Sequence, residues 1–455
     1  MRMPALSSSP AALAAGRAPV RDRGRITPVP ESLLKRSDVA VYDVAILGAG
    51  CAGLSVCCAL LEAGMTGPIV MLDGREEFAD DRTWCFWDVE PTPFSHLARA
   101  SFDTWSVRDG TEWITVNAPE TPYLCLAAMD FYSHALTSIA AHPGVELRLG
   151  VTVGEVVDHP VPDELYGLVS VSTTEGSVRA RQVIDCRGFS ALPDSALPDS
   201  ALPDSALAGS AHSAEADHAR ESSTWVPQQF VGLHVVADRP VFDVTDCRLM
   251  DFGVDQSGGL RFVYVVPTSP FEALVEDVYL DETSSDQADY VARIEGYLLS
   301  EFGLASDDFR VVGDERGYIP MTDHAFVRHP SAHVTRLGML GGATRPSTGY
   351  TFLGIQRSCR RVVQSIVDGV ADVAEPPCSL LDSIFLRFLS DRPELAPRVF
   401  RLMFERVETG ALVRFLTERS STVDHLALIL ALPKLPFLAT AWTVMRHRLR
   451  GRRTR

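Results

Sequence analysis

The feature that most constrains the fold is a glycine-rich turn between an apolar run and a helix of small residues. Gly48, Gly50 and Gly53 form this turn, and a second apolar run over residues 69–72 ends at Asp73. In a strand–turn–helix–strand unit, such glycines permit a tight turn, close approach of a pyrophosphate and close helix–sheet packing. The helix N-terminus favours the anionic pyrophosphate, and the carboxylate accepts hydrogen bonds from ribose hydroxyls. The chain is therefore predicted to bind a dinucleotide.

A second glycine-rich segment, residues 341–349, follows a strand predicted over 335–340 and precedes a helix predicted over about 350–373. Its backbone N–H groups can receive a second face of a bound cofactor. The alternative is a helix-capping loop without a ligand. Together with the N-terminal turn, the segment favours a large dinucleotide held at both ends, and hence FAD over NAD. The candidate cofactor-binding residues of this segment are Gly341, Gly342, Pro346 and Gly349.

Composition narrows the remaining function classes. The chain has 455 residues, of which 46% are hydrophobic, which is enough for two or three domains. A net charge of −17 argues against a nucleic-acid partner, because a phosphate binder needs a basic face. The nine cysteines form neither a disulfide framework nor a metal-binding pattern. No metal site is expected, and a reducing compartment, the cytoplasm, is predicted.

The predicted elements describe a dinucleotide-binding domain that a strand-rich body interrupts in sequence. Residues 1–40 are interpreted as a disordered or targeting-like tail. A five-residue SALPD repeat beginning at Ser190 is interpreted as a surface loop, because proline in every unit excludes a helix or sheet interior. The remaining predicted boundaries are 41–190 with 310–375 for the dinucleotide-binding domain, 191–222 for the repeat loop, 223–309 for the substrate-binding domain and 376–455 for a helical region.

Motifs along most of the chain resemble those of FAD-dependent lycopene cyclases. The matching segments are 81–87 (DRTWCFW), 229–232 (QFVG), 250–252 (MDF), 262–267 (FVYVVP), 274–280 (LVEDVYL), 317–321 (GYIPM), 341–350, 414–416 (RFL) and 432–436 (LPKLP). The resemblance covers about residues 42–445 in consistent order. One departure is the glutamate motif, which reads LVEDV where the plant family members have FLEET.

The resemblance implies an α/β fold and a reaction. The implied fold is a Rossmann-like FAD-binding domain of the glutathione-reductase type, as in p-hydroxybenzoate hydroxylase, interrupted by a mixed-sheet substrate domain. The implied reaction converts the ψ ends of lycopene to β-ionone rings, giving γ- or β-carotene without net redox change, although the flavin must be reduced. NAD(P)H is a candidate indirect reductant, and other carotenoid enzymes are candidate partners.

Glu276 and Asp277 are the candidate catalytic acids. Protonating an alkene requires an acid that keeps its proton until the substrate arrives, and burial in an apolar pocket provides one. The two acids lie in a predicted strand, where neighbouring side chains face opposite sides, so only one can point into the pocket. We predict Glu276 as the pocket-facing acid with Asp277 supporting or orienting it, and the reverse order stays open. Two exposed acids at a strand edge are the alternative.

The cyclic cation needs a neighbour rich in π electrons or negative charge. An anionic reduced flavin suits this role, or the flavin itself serves as the acid. Arg187, in the turn after a predicted strand over 180–186, is expected near the adenine half of the cofactor. Ordinary core packing is the alternative for each aromatic side chain. The aromatic candidates for the substrate pocket are Trp84, Phe86, Trp87, Phe230, Tyr264 and Tyr350.

A forty-carbon hydrocarbon dissolves only in lipid, so the resemblance also implies contact with a membrane surface. Residues 426–445 are nearly all apolar, but Pro433, Lys434 and Pro436 interrupt them. An in-plane, peripheral contact therefore fits better than a spanning helix. The arginine-rich tail after residue 445 suits anionic headgroups. A buried amphipathic helix with a frayed polar tail is the alternative.

Two other functions fit the same scaffold. One is a flavin-dependent oxidoreductase, either a prenyl reductase or a hydroxylase. The other is a non-enzymatic escort for prenylated proteins. The adjacent acids at 276 and 277 favour the cyclase over the escort, because a carrier needs no buried acid.

Overall fold

The computed structural model describes residues 26–37, 39–159, 167–188, 223–280, 287–369, 372 and 378–451. Most of the predicted tail over 1–40 lies outside the described residues. The SALPD repeat and the arginines at the end of the basic tail, Arg452, Arg453 and Arg455, also lie outside them.

The described residues form nineteen strands and ten α-helices. The strands are β1 (Ile26–Thr27), β2 (Tyr42–Leu47), β3 (Ile69–Leu72), β4 (Phe78–Ala79), β5 (Thr83–Trp87), β6 (Ala100–Phe102), β7 (Thr104–Arg108), β8 (Trp113–Asn117), β9 (Tyr123–Ala127), β10 (Val145–Arg148), β11 (Val153–Asp158), β12 (Val169–Thr173), β13 (Gly176–Asp185), β14 (Trp225–Ala237), β15 (Asp246–Asp251), β16 (Arg261–Ser269), β17 (Glu272–Leu280), β18 (Phe309–Thr322) and β19 (Val334–Arg336). The helices are α1 (Glu31–Leu34), α2 (Cys51–Glu62), α3 (Ala128–Ala140), α4 (Gln287–Phe302), α5 (Phe352–Asp368), α6 (Leu380–Asp391), α7 (Ala396–Arg406), α8 (Thr409–Leu416), α9 (Thr422–Ala431) and α10 (Lys434–Gly451).

The first sheet carries the predicted dinucleotide unit. Its strands follow the order β10-β3-β2-β13-β12-β11, and β19 pairs with the end of β13. The pairs β10–β3, β3–β2, β2–β13 and β13–β19 are parallel. Helices α2, α3 and α5 pack their apolar faces on this sheet. Because parallel strands end at one edge, the turns after β2, β3, β13 and β19 meet there, and such an edge is where nucleotides bind.

The second sheet also has seven strands and is mostly antiparallel, with the order β18-β14-β17-β16-β15-β7-β8. The sequence-based boundaries assigned residues 104–117 and 310–322 to the dinucleotide-binding domain, but β7, β8 and β18 belong to this second sheet. Strand β7 pairs with β15, about 140 residues later in sequence. A boundary placed by sequence order fails here because strand pairing is decided by contacts that are distant in sequence.

Two helical layers cover the faces of the second sheet. Helix α4 packs on one face through Ile294 and Leu298, against Val263 and Val275. Helices α6 to α9 cover the other face, together with Phe437 of α10, and share one core with Leu274 and Val278. The small sheet β5-β9-β6 contributes side chains to the cores of both large sheets. A residue of β17 therefore faces a different environment according to whether its number is even or odd.

Three predicted element boundaries differ from the structure. The strand predicted over 335–340 ends at Arg336, because the chain turns into a 3₁₀ segment at Gly338, whose φ is +74°. The helix predicted to reach residue 373 ends at Asp368, where Gly369 adopts the left-handed conformation typical of a helix end. Pro436 does not interrupt a helix; it lies in the first turn of α10, where proline is tolerated.

Candidate active site

The glycine turn after β2 has the geometry that a pyrophosphate site requires. Gly48 has a φ of +94°, and a Cβ added to it would lie 2.9 Å from the carbonyl oxygen of Cys186. A Cβ on Gly53 would lie 1.8 Å from the carbonyl oxygen of Gly48, so α2 can approach the turn only with glycine there. Gly50 is the N-cap residue of α2 and has no crowded neighbour within 3.5 Å of an added Cβ.

The carboxylate of Asp73 lies directly behind this turn. Its Oδ2 accepts a hydrogen bond of 2.5 Å from the backbone N–H of Ala49, and its Oδ1 accepts one of 2.8 Å from the N–H of Arg75. The sequence pattern placed this acid correctly at the end of β3. Arg187, at the end of β13, forms an ion pair of 2.8 Å with Asp185 and is about one-fifth exposed. Asp73 and Asp185 thus stabilise the turns at the edge where the parallel strands end.

The second glycine segment reaches the same region from the C-terminal side. A Cβ on Gly341 would lie 2.4 Å from the carbonyl oxygen of Arg336, and Gly342 and Gly349 have positive φ angles of +80° and +76°. Pro346 lies half-buried in the same loop. Gly341 lies against backbone, and Gly342 and Gly349 need a left-handed conformation, so the loop depends on its glycines.

Sequence reasoning missed the ion pair that fixes this loop. The buried guanidinium of Arg345 donates to Asp382 in α6 at 3.0 Å, and Ser347 donates to the same carboxylate at 2.5 Å. Arg345 also lies over the ring of Phe415, 4.3 Å from its centroid. Since Asp382 is distant in sequence and no motif marks it, only the packing of α6 on the loop brings the pair together.

The donor groups at this edge fit a dinucleotide. Within the described part of the chain, neither α2 nor α5 has a side chain that caps its N-terminus. Their first-turn N–H groups are therefore left to backbone, solvent or ligand, and they favour anionic groups such as a pyrophosphate. At Gly48, Gly53 and Gly341, an added Cβ would clash with neighbouring backbone. The absence of a side chain there lets the backbone segments approach each other and a ligand.

Glu276 lies in an apolar cavity of about 200 Å³, which we call the acid cavity. The cavity is formed between the second sheet and the C-terminal helices, and Leu274, Val278, Phe400 and Phe404 contribute to its wall. The Glu276 residue is 8% exposed, and no hydrogen bond to its carboxyl is made by the described residues. Burial raises the pKa of this carboxyl well above its ordinary range, and the nearby Glu315 raises it further.

Asp277 faces the opposite side of the sheet. It is fully buried and forms ion pairs with Arg261 at 2.5 Å and with Arg293 of α4 at 2.7 Å. The two carboxyl groups therefore do not contact each other, so Asp277 does not support Glu276 directly as predicted. The alternative in which Asp277 faces the cavity and Glu276 supports it is wrong. The physical reason is the alternation of side chains along β17, which sends the two acids to different layers.

Four of the six predicted aromatic residues line the acid cavity. They are Trp84, Phe230, Tyr264 and Tyr350. The hydroxyl of Tyr264 donates to that of Tyr123 at 3.2 Å, and burial raises the pKa of both phenols.

The other two aromatic candidates lie outside this cavity. Phe86 stacks on Phe352 with a centroid distance of 4.3 Å, and Trp87 packs against Trp105 and Tyr350. Both are nearly fully buried core residues, as the alternative interpretation had it. Strand β5 is covered on both sides, so an aromatic residue in it can be buried without facing the acid cavity.

A second buried glutamate was missed by sequence reasoning. Glu315 of β18 accepts hydrogen bonds from the backbone N–H and the hydroxyl of Thr83, at 2.7 and 2.8 Å. Its Oε1 lies 2.8 Å from Nε2 of His234. Gly232 lies between Glu276 and Glu315 in the register of β17, β14 and β18. The only local signal was an acid two residues before Gly317, and that signal does not reveal the partners.

The C-terminal helices expose an apolar surface. Its large hydrophobic residues, from α9 and α10, are Val423, Leu426, Ile429, Leu430, Leu435, Leu438, Trp442 and Met445. Between α6, α9 and α10 lies a cavity of about 300 Å³ that we call the C-terminal cavity, with Phe385, Leu428 and Phe437 in its wall. Lys434 lines it too, but its ammonium group donates to the carbonyls of Ile429, Leu430 and Leu432 at 2.6 to 2.9 Å.

Helices α7 and α8 each contribute side chains to the walls of both cavities. In α7, Phe400 and Phe404 face the acid cavity, and Met403 faces the C-terminal cavity. In α8, Leu416 and Phe415 are divided in the same way. Helices α7 and α8 thus lie between the acid cavity and the C-terminal cavity.

Two features are absent from the described residues. None of their helices combines the length and the apolar composition needed to cross a bilayer. They also contain no cluster of three or more histidine, cysteine or acidic side chains arranged to hold a metal ion.

Comparison with known proteins identifies relatives in sequence. A family profile described as Lycopene cyclase protein matches residues 43–442. A lycopene beta-cyclase from a Paracoccus species (strain N81106) is 29% identical over 238 residues, which cover 47% of this chain and 58% of the relative. A lycopene beta-cyclase from Pantoea ananas is 26% identical over 330 residues, which cover 68% of this chain and 71% of the relative. The match thus spans less than two thirds of the Paracoccus protein.

Solved structures share the fold at low sequence identity. A geranylgeranyl bacteriochlorophyll reductase-like protein from Thermoplasma acidophilum superposes with a TM-score of 0.55 at 13% identity, covering 89% of this chain and 99% of that one. A flavin-dependent brominase superposes with a TM-score of 0.50 at 11% identity, covering 90% and 100%. These likenesses confirm the predicted α/β fold, which the chain shares with both proteins.

Proposed function

The chain belongs to the lycopene cyclase family, and on that premise we propose that it closes the ψ ends of lycopene into β-ionone rings. The observation that carries this proposal is the buried carboxyl of Glu276 in an apolar cavity. An acid that retains its proton at neutral pH is what protonation of an unactivated alkene demands. A redox enzyme with this fold would not need a desolvated acid at this position.

Glu276 is the proton donor in this proposal. It protonates C2 of the ψ end and creates a tertiary cation at C1. The C5–C6 double bond attacks this cation and closes the ring, and loss of the C6 proton gives the β ring. The volume of the acid cavity, about 200 Å³, suits one end of the polyene rather than its full length, since pockets for drug-sized ligands occupy roughly 300–1,000 Å³.

The walls of the acid cavity suit a cation that must not be trapped. The aromatic faces of Trp84, Phe230, Tyr264 and Tyr350 surround the acid and offer no strong nucleophile. Each aromatic face stabilises a desolvated cation by about 0.5–2 kcal/mol. Most of the remaining wall is apolar, with Leu274, Val278 and Phe400 among its side chains, so few groups near Glu276 can trap the cation.

We propose that FAD binds along the edge of the first sheet. Gly48, Gly50 and Gly53 would hold its pyrophosphate, Asp73 its ribose and Arg187 would lie on the adenine side. The loop 341–349 would hold the opposite end, since Gly349 and Tyr350 also line the acid cavity. Bound in its reduced, anionic form, FAD would supply negative charge beside the cation without electron transfer. NAD(P)H would then act only as an indirect reductant.

The exposed apolar surface is proposed to rest on a lipid bilayer in the cytoplasm. Leu435 and Leu430 are 82% and 64% exposed, and an apolar area of this kind on a water-soluble surface marks an interaction site. Arg446, exposed near the end of this surface, suits anionic headgroups. A polyene dissolved in the bilayer would enter the C-terminal cavity before it reaches Glu276. Association with other carotenoid enzymes would follow from the shared membrane.

Expression in cells that accumulate red lycopene tests the function. The proposal predicts yellow or orange cyclic carotenoid with or without oxygen, and no product from Glu276→Gln. The fold is shared with a reductase-like protein, so a redox function is the competing result. Loss of double bonds, or products that carry hydroxyl groups, would establish that function instead. Unchanged pigment with a folded, flavin-containing chain would contradict both enzymes.

A further inference from the structure

A buried acid that gives away its proton must recover one before the next ring is formed. The side chains of the acid cavity beside Glu276 are mostly apolar, and no described side chain donates a hydrogen bond to its carboxyl. The structure contains a chain of polar groups on the other side of Glu276, and the inference drawn from it rests on the proposed function.

The first link of this chain is the position of Gly232. In the strand register, Gly232 of β14 pairs with Glu276 of β17 on one side and with Glu315 of β18 on the other. A Cβ added to Gly232 would lie 2.9 Å from Cγ of Glu276 and 3.2 Å from Cγ of Glu315. The two glutamate side chains therefore flank a single bare backbone position, on the same face of the sheet.

The second link is the hydrogen bond between Glu315 and His234. The imidazole Nε2 lies 2.8 Å from Oε1 of Glu315, and both side chains are at least nine-tenths buried. Thr83 donates its N–H and its hydroxyl to the same carboxylate and so holds the carboxylate in place. A histidine in this position can pass a proton through its two ring nitrogens.

The third link is a cavity on the far side of His234. It is open, has a volume of about 880 Å³ and is lined by His234 together with charged and polar side chains, among them Arg99, Asp130, His134 and Glu272. We call it the polar cavity. His234 is thus the group that touches both this cavity and the carboxylate next to Glu276.

We propose that His234 and Glu315 form a proton relay that returns a proton to Glu276 from the polar cavity. At rest, Glu276 carries the shared proton, and the carboxylate of Glu315 accepts hydrogen bonds from Thr83 and His234. After Glu276 has protonated the alkene, Glu315 takes a proton from Nε2–H of His234 and passes it to the carboxylate of Glu276. The ring takes a proton at Nδ1 from water in the polar cavity, and proton exchange with that water restores the Nε2–H tautomer before the next turnover. Each ring takes one proton from solvent and releases one from C6, so the reaction remains an isomerisation.

The charge balance of the two glutamates supports this order. Two neighbouring carboxyls in an apolar site do not both ionise easily, so the pair tends to hold a proton between them. Burial and the proximity of Glu315 both raise the pKa of Glu276. The competing interpretation is structural: Glu315 only fastens Thr83 of β5 to the second sheet.

The test compares the first turnover with later ones in the full-length, flavin-loaded enzyme. The enzyme is mixed rapidly with a stoichiometric excess of lycopene in lipid vesicles, and ring formation is followed by absorbance. Glu276 starts protonated, so His234→Gln should form about one ring per active site at the wild-type rate. Steady-state turnover should then fall about 100-fold, at the lower end of the usual contribution of positioned proton transfer. Glu315→Gln should behave in the same way.

His134→Gln is the matched control, because His134 lines the polar cavity without a hydrogen bond to Glu315. It should leave both phases at the wild-type rate. In heavy water, the wild-type ring should carry one solvent deuterium at C2. The relay is refuted if His234→Gln slows both phases equally, which indicates a structural role. It is also refuted if neither phase slows, which means that the C6 proton returns to Glu276 directly. A wild-type enzyme that forms no ring would refute the proposed function instead.

Discussion

Replacing the acid at the centre of the site should stabilise the protein while it abolishes activity. In Glu276→Gln, an amide of nearly the same shape replaces a carboxyl that is 8% exposed and has no hydrogen-bond partner among the described residues. Burial and the nearby Glu315 raise the pKa of the folded carboxyl. In the unfolded chain, the same carboxyl ionises with a pKa of about 4.3. The folded state therefore holds a proton that the unfolded state releases.

The sign and size of the effect follow from proton linkage. Above about pH 4.3, the unfolded wild-type chain gains stability by ionising, and the folded chain does not until pH reaches its raised pKa. The free energy of unfolding of the wild type therefore falls by about 1.4 kcal/mol per pH unit over this window. Glutamine does not titrate. The advantage of Glu276→Gln, relative to its value below pH 4, should thus grow with pH at this slope until the pH reaches the raised pKa of Glu276.

Urea unfolding followed by far-UV circular dichroism measures this difference between about pH 4.5 and pH 7. Glu120→Gln makes the same chemical change at an exposed position and should alter the free energy of unfolding by less than about 0.5 kcal/mol at every pH. A difference for Glu276→Gln that stays constant over the pH range would show that Glu276 is ionised in the folded protein. That result would refute the acid assignment on physical grounds, independently of any activity.

Three further changes have different expected outcomes. Asp277→Asn should destabilise the protein by about 3 kcal/mol, because Arg261 and Arg293 lose the carboxylate that they share. Turnover per folded molecule should persist. Thermal melting measures the first effect and kcat the second. Gly53→Ala should strip flavin from the purified protein, visible as lost absorbance, because its Cβ would lie 1.8 Å from a backbone oxygen of the turn. Leu435→Asp should weaken binding to anionic vesicles roughly thirtyfold with unchanged melting temperature, since the side chain is 82% exposed and its insertion contributes about 2 kcal/mol. Equal binding of Leu435→Asp and wild type would contradict the membrane proposal.

The features that sequence predicted are those encoded within a few residues. Gly48, Gly50, Gly53 and Asp73 form one continuous strand–turn–helix–strand unit, so their spacing alone specified the turn. Period-two alternation along β17 likewise indicated that only one of the adjacent acids could face a cavity on one side of the sheet, and Glu276 is the one that does so. Local chemistry also predicted that the apolar C-terminal segment is broken near Pro433, and the structure has α9 end and α10 begin around that residue.

The features that sequence could not predict depend on contacts between distant strands. His234 and Glu315 are 81 residues apart and meet only because β14 and β18 pair in one register. No spacing rule links them, and neither lies in a motif whose chemistry is known from its pattern. Phe86 and Trp87 show the converse error, since an aromatic residue beside a recognised motif can be buried in either of two cores.

The most direct test of the central claim is product analysis with purified, flavin-loaded wild type and Glu276→Gln in lycopene-containing vesicles. The account predicts cyclic carotenoid from the wild type and unchanged lycopene from a variant that is folded, retains flavin and is at least as stable. Rings formed by Glu276→Gln at a rate near that of the wild type would contradict it, because the proton would then come from another group.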